Sequence, residues 1–356
     1  MELNGKFTNA IIHTSDIDEN TINQVNNLIN CDVSEGSIIH IMPDCHAGKG
    51  CTIGTTMTIK DRVCPNLVGV DVNCAILCLK VQGDFSIDDF LDACEKVPSG
   101  VGKYNSEMIP FDDLNKLSFQ LERPEQILYS IGSLGSGNHF IELNEDEDDD
   151  RYIVIHTGSR NLGIQVCSHH MEIAKKTNLR GELSFLTGTD LDNYLNDMRI
   201  CQTYAQKNRL EIGNTILRNL ENARIVDTFE TVHNYIDFDD NILRKGAISC
   251  TKGKKVLIPF NMRDGSVIAV GKGNPDWNFS GPHGAGRIMS RSEARKNLTL
   301  EEYQNTMKGI SSRTVCQNTI DEAPQVYKDA KEIENLISET VEVQKHLKVV
   351  ANYKGF

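Results

Sequence analysis

Ser280-Gly281-Pro282-His283-Gly284-Ala285-Gly286-Arg287 surrounds one imidazole with three glycines. Glycine lets the backbone approach a ligand closely and adopt positive φ. A neutral, accessible imidazole is a competent nucleophile near pH 7. Groups that bind metals or phosphates recur upstream. Gly69-Val70-Asp71-Val72-Asn73-Cys74 sets a hard carboxylate and a soft thiol within one turn of chain. A thiolate can bridge two metal ions while a carboxylate binds one. Gly135-Ser136-Gly137-Asn138-His139-Phe140-Ile141-Glu142 passes from glycines into an alternating strand. Period two puts His139 and Ile141 on one face and Asn138, Phe140 and Glu142 on the other. Its glycine spacing is no dinucleotide fingerprint, because no βαβ unit follows. Ile153 to Gly163 runs a strand into His156 and a small-residue turn carrying Arg160, a setting suited to gripping phosphate at a helix start. Glu230-Thr231-Val232-His233-Asn234-Tyr235 adds a further histidine. Each stretch also has a plain structural reading: Asp71 as a turn residue beside a buried cysteine, Arg160 in a surface ion pair. Their sum is less ordinary, since His46, His139, His156, His233 and His283 all occupy Gly-rich or strand-end settings. His169, His170 and His346 fall on expected helices and read as surface or core residues.

The elements that must position these groups follow from periodicity. Short apolar runs with alternation predict strands at 37–42, 57–59, 67–70 and 75–80. A capped helix is expected at 86–94. Strand-and-loop structure returns from 131 to 160. Helical periodicity fills 166–176 and 190–220, with Thr189-Asp190 as the expected N-terminal cap of the second helix. Strands follow over 245–271, then helices at 292–296, 300–308 and 329–347, and a final strand at 349–356. These elements predict an α+β fold: one large domain over residues 1–356, a mixed or antiparallel sheet core with peripheral helices, and a helical insertion at about 162–223.

Composition narrows the class. The 356 residues are 39% hydrophobic and 24% charged, ordinary globular values that supply a sizeable core. No apolar run is long enough to span a bilayer. The amino-terminal residues lack a basic stretch followed by an apolar one, so a cytoplasmic location with no membrane association is expected. Eleven cysteines, odd in number and without a CxxC pair, fit reduced thiols better than a disulfide framework or zinc ribbon. The net charge of −13 argues against a broad nucleic-acid-binding surface but leaves room for a local basic groove. The acidic run Asn144 to Asp150 reads as a solvated loop.

Seven blocks carry a resemblance through nearly the whole chain. They are Met42-Pro43-Asp44-Cys45-His46, Gly69 to Cys74, Gly137 to Glu142, His156-Thr157-Gly158-Ser159-Arg160, His233-Asn234-Tyr235, His283 to Arg287, and Lys354-Gly355. In this order they resemble the RtcB family of RNA-splicing ligases, which join an RNA 3′-phosphate to a 5′-hydroxyl. The resemblance implies that Asp71, Cys74 and His139 bind one Mn²⁺. It implies that Cys74, His156 and His233 bind a second, with the thiolate bridging. Ligand chemistry alone would also admit Zn²⁺ or Co²⁺. His283 matches the nucleophile that takes GMP from GTP. Asn138, Glu142, Asn234, Pro259, Asn261, Met262, Ser266, Gly284, Ala285, Gly286 and Lys354 match nucleotide contacts. Arg160 and Arg287 are candidates for holding RNA phosphates. The implied partners are GTP and RNA ends, including 2′,3′-cyclic phosphate ends, with room for an activating protein; the residues do not specify an oligomeric state.

The chain departs from the family pattern before the nucleophile. Members usually carry Pro-Gly-Ser-Met-Gly there; this chain has Pro259-Phe260-Asn261-Met262, with Ser266 downstream. Phenylalanine cannot supply glycine's close backbone approach, so a reshaped nucleotide pocket is expected. Pro282 stands where the family often has cysteine. RNA repair and tRNA splicing are both open as settings. The competing readings are a dinuclear metal phosphodiesterase, using metal-bound water in place of His283, and a non-catalytic RNA-end- or GTP-binding paralogue.

Overall fold

A computed structural model describes residues 1–356. Strands β1 (Glu2–Asn4) and β2 (Asn9–Ile12) lead to helix α1 (Glu19–Ile29), capped by the Asp18 side chain on the Thr21 N–H. Then come β3 (Ile39–His46), β4 (Ile53–Thr58), β5 (Arg62–Val63), β6 (Ala75–Gln82) and α2 (Ile87–Cys94). Ser86 and Asp89 form a reciprocal capping box on α2. Helix α3 (Pro124–Tyr129) precedes the hairpin of β7 (Phe140–Glu145) and β8 (Arg151–Thr157). Helix α4 (Arg160–Thr177), the short β9 (Leu186–Thr187) and the long α5 (Gly188–Arg218) follow. The chain returns to strands in β10 (Arg224–Val232), β11 (Asn234–Asp237), β12 (Ile242–Lys245), β13 (Ala247–Ser249), β14 (Lys255–Asn261), β15 (Gly265–Gly271) and β16 (Ser280–Pro282). Helices α6 (Arg291–Asn297), α7 (Leu300–Thr306) and α8 (Ala330–Ile337) precede the last strand, β17 (Val341–Lys354).

Two mixed or antiparallel sheets carry the fold. One has the order β1-β2-β3-β4-β12-β11, the other β10-β6-β8-β7-β17-β15-β14. The seven-stranded sheet curls strongly. One of its faces packs Leu77, Leu79, Ile153 and Ile155 against Ile212 and Ile216 of α5 and Phe90 of α2. Its other face brings Ile76 and Val154 together with Leu257, Ile268 and Leu347 from the far strands. The two edge strands thereby meet: the Leu257 N–H donates to Thr231 Oγ1 at 2.9 Å, and Lys255 pairs with Asp227. The concave face is a nearly closed trough. The six-stranded sheet and helices α1, α4 and α5 share a separate large core that includes Ile39, Ile41, Met57, Val166 and Tyr204. No helix is long and apolar enough to cross a membrane.

The α+β class and the mixed sheets match the sequence reading, and four local expectations are revised. Residues 67–70 form no strand: a 3-10 turn occupies Pro65–Leu67, and Gly69 takes φ +95°. The second long helix starts at Gly188 without a side-chain cap. The predicted helix 329–347 ends at Ile337, and Val341 already begins β17. Val341, Val343 and Leu347 pack on β15, so sheet pairing overrides a helical pattern that is only local. Strand β10, unread in the sequence, holds the edge of the curled sheet. The acidic run is also less solvated than expected. Asp146 is buried and accepts hydrogen bonds from the Asp148 and Asp150 N–H groups and the Tyr152 hydroxyl, with Lys345 at 2.5 Å.

Candidate active site

Four neighbouring strands end in a potential ligand at the same rim of the curled sheet. Their order is β10-β6-β8-β7, each antiparallel to the next. Antiparallel neighbours bring the end of one strand beside the start of the next. His233 follows the end of β10, Cys74 precedes β6, His156 lies near the end of β8, and His139 precedes β7. Asp71 joins them from the turn before Cys74, and a Cβ at Gly158 would collide with its carboxylate. Residues spread over more than 160 positions of sequence thus converge at one rim.

The atoms converge in two groups that share the thiol: Asp71, Cys74 and His139, and Cys74, His156 and His233. Cys74 Sγ lies 3.5 Å from His139 Nε2 and 3.2 Å from His156 Nε2. His156 Nε2 lies 3.2 Å from His233 Nε2, and His139 Nε2 lies 2.8 Å from Asp71 Oδ2. The far ring nitrogens decide what these contacts are. Nδ1 of His139 faces the Leu134 carbonyl at 2.9 Å, and Nδ1 of His156 faces the Asn138 carbonyl at 3.0 Å. A carbonyl only accepts, so each Nδ1 carries a proton, and in the neutral ring Nε2 is left to present its lone pair to the cluster. Lone pairs converging on a thiol and a carboxylate repel unless a cation lies between them. The donor set therefore fits a pair of divalent ions. Burial, reinforced by His139, lowers the His156 pKa to about 3, and burial with its histidine neighbours drives His233 well down. Both rings are neutral and ligand-ready.

Helix α5 supports the rim from behind. Arg209 is fully buried; its Nη1 donates to the carbonyls of Asn73 (2.6 Å) and Thr157 (2.9 Å), and its Nε to Glu230 at 2.5 Å. These residues adjoin Cys74, His156 and the strand leading to His233. The preceding Asn208 accepts from the Gly132 and Ser133 N–H groups and donates to the Gly158 carbonyl. Neither residue was singled out in the sequence, where both read as ordinary helix positions.

His283 approaches from a separate two-stranded ribbon, just after β16, which pairs with β13. Its ring centroid is 5.0 Å from that of His233. Asp44 of β3, fully buried, takes its Nδ1 at 2.6 Å and also accepts from the His283 backbone N–H. Nδ1 then carries the proton and Nε2 keeps a free lone pair. Gly286, at φ +75°, is required here because a Cβ would strike the Asp44 backbone. The Met42–His46 block carried part of the family resemblance in the sequence, but nothing there tied Asp44 to His283.

A cavity of about 380 Å³ joins these groups. Asp71, His156, His233 and His283 line one end. Asn138, Asn234, Pro259, Asn261, Met262, Gly284, Ala285, Gly286, Glu142 and Lys354 also line it. Cys74 and His139 sit behind this lining. Ser266 is buried without a hydrogen-bond partner and stays off the wall. Phe260 packs with Ile258, Val267 and Ala285 while reaching the cavity. The polar atoms of Asn261 close the β14–β15 turn, on the Arg263 and Asp264 N–H groups and the Asp264 carboxylate. Arg160 does not line the cavity; it holds Ser133 and the Gly100 carbonyl and runs past Gly135 beside His139. Arg287 lines it, with donors on Glu322, the Asp321 carbonyl and the Met289 carbonyl. Sequence reasoning missed Glu322, a buried carboxylate contacted by Arg287, Arg291, Tyr327 and Lys354. Burial opposes its charge, yet Lys354 and the two arginines hold its pKa down to about 2. Glu142 shows the opposite balance: burial lifts it to about 7 against Asn352 and Lys354.

The family model described as tRNA-splicing ligase RtcB matches residues 24–126 and 113–355. The chain is 30% identical over 367 residues to the RNA-splicing ligase RtcB of Escherichia coli (strain K12), covering 89% of this chain and 90% of that one. It is 26% identical over 395 residues to the tRNA-splicing ligase RtcB of Nanoarchaeum equitans, covering 82% of each. A similarity of 27% over 394 residues reaches the RNA-splicing ligase RtcB homolog 1 of Entamoeba histolytica, covering 82% of this chain and 75% of that one. The chain belongs to the RtcB family.

Two outcomes follow from the cluster and its support. Replacing Cys74 with serine removes the atom common to both ligand groups, so divalent-ion affinity at both positions falls at least about tenfold; His233→Ala weakens only one. Metal titration followed by elemental analysis separates the two patterns. Arg209→Met breaks a buried ion pair and orphans two carbonyls, costing about 3 kcal/mol in denaturant unfolding.

Proposed function

We propose that this chain is a GTP- and Mn²⁺-dependent RNA ligase that joins 3′-phosphate or 2′,3′-cyclic phosphate ends to 5′-hydroxyl ends through a histidine–GMP intermediate. The observation that carries this reading is the Asp44–His283 pair beside His233, in one cavity with the ligand cluster. A phosphodiesterase acting through water would need no buried carboxylate to fix the tautomer of an imidazole at that position. The relatives named RNA-splicing ligase support the same reaction class.

The steps follow from the side chains. Asp44 keeps the Nδ1 proton in place and orients the ring, so His283 Nε2 attacks the α-phosphate of GTP. A P–N bond forms, the bond to the bridging oxygen breaks, and pyrophosphate leaves. An oxygen of the RNA 3′-phosphate then displaces the imidazole, giving an RNA 3′-end joined to GMP through a diphosphate. The 5′-hydroxyl attacks the RNA-side phosphorus, and GMP leaves with the electron pair. Splitting the reaction exchanges an unreactive phosphate monoester for an end with a good leaving group. Asp71, Cys74, His139, His156 and His233 would hold two Mn²⁺ ions, which neutralise phosphate charge and favour in-line attack when bound. Asn138, Asn234 and Gly284 to Gly286 contact the nucleotide in this reading, with Lys354 and Glu142 at the far end of the cavity. Arg160 and Arg287 are assigned to RNA phosphates, and Arg291 at the cavity mouth is added to them. A cytoplasmic setting fits the eleven free cysteines.

The test is covalent. Incubation with α-labelled GTP and Mn²⁺ should leave acid-labile label on the protein, absent from His283→Ala. Asp44→Asn should lower its rate at least about 100-fold, since it misplaces the proton on the nucleophile. Fully metallated protein that never takes label, yet opens cyclic phosphate ends, would establish the phosphodiesterase instead. Nucleotide binding without label or ligation would mark a non-catalytic paralogue.

A further inference from the structure

Of the three attacks in the proposed sequence, two use nucleophiles that arrive with a free lone pair: His283 Nε2 and an oxygen of the RNA 3′-phosphate. The 5′-hydroxyl differs, because its proton must pass to a base as the O–P bond forms. Most bases in the cavity are committed elsewhere. Asp71, His156 and His233 belong to the ligand cluster. Glu322 is held by two arginines, a tyrosine and a lysine, and Glu142 accepts from Asn352. His46 has no such commitment. It ends β3 opposite Ile53, and both residues line the cavity that holds His283. Its Nδ1 faces the Asp44 carbonyl at 3.1 Å, so in the neutral ring Nδ1 carries the proton, and Nε2 keeps a lone pair with no hydrogen-bond partner in the protein. Asp44 thus sets the tautomer of two imidazoles, His283 through its carboxylate and His46 through its backbone carbonyl. The loop after His46 is pinned as well. Gln24 bonds both the N–H and the carbonyl of Gly48, and Lys245 Nζ donates to the Lys49 carbonyl at 3.2 Å.

We propose that His46 is a further catalytic residue, the general base that takes the 5′-hydroxyl proton in the sealing step. As the 5′-oxygen attacks the RNA-side phosphorus, its proton passes to His46 Nε2. The new O–P bond replaces the bond to the bridging oxygen, and GMP leaves with that electron pair. The imidazolium then gives its proton to solvent. The groups that act on the ring are Asp44 on its own strand, His283 beyond β16, and Arg287. Lys49 and Lys245 also line the cavity. Burial is the largest influence and lowers the His46 pKa. A lowered pKa keeps the ring neutral, and so able to accept a proton, near pH 7. His283 is the one competing base, because its Nε2 is free again once the RNA phosphate has displaced it. The proposal rests on the reading that this cavity seals RNA ends activated with GMP.

Single-turnover sealing isolates the step. The substrate is an RNA whose 3′-phosphate already carries GMP in a diphosphate, offered with a 5′-hydroxyl strand to the full chain saturated with Mn²⁺. His46→Asn sets an amide N–H where Nδ1 stood, which keeps a donor for the Asp44 carbonyl and removes the base. Its sealing rate should fall at least about 100-fold, a loss at least about tenfold larger than any loss in GMP labelling of the protein. The wild-type sealing rate should rise with pH and level off at a lower pH than an ordinary imidazole would set, and the variant should lose that rise. If His46 only braces Asp44, His46→Asn seals at close to the wild-type rate, and that result overturns the proposal. So does an equal loss in labelling and sealing, or a flat wild-type pH profile. Sealing of the activated end that fails in His283→Ala and persists in His46→Asn would make His283 the base instead. If circular dichroism shows the asparagine variant unfolded, His46→Ala with added imidazole takes its place: recovery of sealing supports the proposal, and no recovery overturns it. A wild-type chain that takes no label, yet seals the activated end only with His46 intact, would leave the proposal standing and remove the histidine–GMP step. No sealing of the activated end at all would remove both.

Discussion

Arg209 is the constraint on which the site depends. One fully buried guanidinium ties the turn before β6, the end of β8 and the edge strand β10 to helix α5. Each of those segments delivers one of the three ligands that would share the second ion. A buried cation is costly unless it is paired; here two backbone carbonyls take Nη1 and the Glu230 carboxylate takes Nε, while Nη2 has no partner in the protein. The rim is thus tied to a long helix whose apolar face, Ile212 and Ile216, is itself locked on the sheet. Displacing any of these strands would strand a charge in the interior, so the ligand geometry is set before any ion arrives.

The cavity shows a second use of buried charge. At the metal end, neutral imidazoles and a thiol face one another with their lone pairs exposed. At the other end, Glu322 gathers two arginines, a lysine and a tyrosine, while Glu142 has two amides, Asn352 and Asn144, and a lysine. Burial acts on both carboxylates alike, and the neighbouring cations decide the result: Glu322 is held down to about 2 and Glu142 rises to about 7. One trough therefore holds an anionic anchor for its cationic mouth and a less strongly charged wall deeper in. That division suits a ligand with phosphates at one end and a neutral base at the other.

Much of the site was legible in the sequence because its residues sit in marked surroundings. Asp71, Cys74, His139, His156 and His283 stand near strand ends with glycine or small residues close by, His233 has no such mark, and the structure gathers all six. The period-two reading of Asn138, Phe140 and Glu142 as one face holds, and that face lines the cavity. Arg209 and Asn208 left no trace, because a helix position carries no sign of which loop its side chain will meet. Glu322 falls between the expected helices 300–308 and 329–347, and Asn352 in the expected final strand; neither stretch carries a local sign of a site. Asn261 was legible as a position, but its polar atoms serve the hairpin turn.

The sequence by itself determined the fold class and the glycine-bounded turns, and it marked the cysteine, carboxylate and histidines that stand as candidates, since these rest on local chemistry and spacing along the chain. Only the tertiary structure decided how they combine. Strand order in the curled sheet chose which ends become neighbours, and pairing to β15 turned residues 341–347 from an apparent helix into strand. Packing of the β13–β16 ribbon beside β3 set Asp44 against His283 across more than 230 residues. Those outcomes depend on long-range pairing and on satisfying buried charge, and neither is written in any local window of the chain.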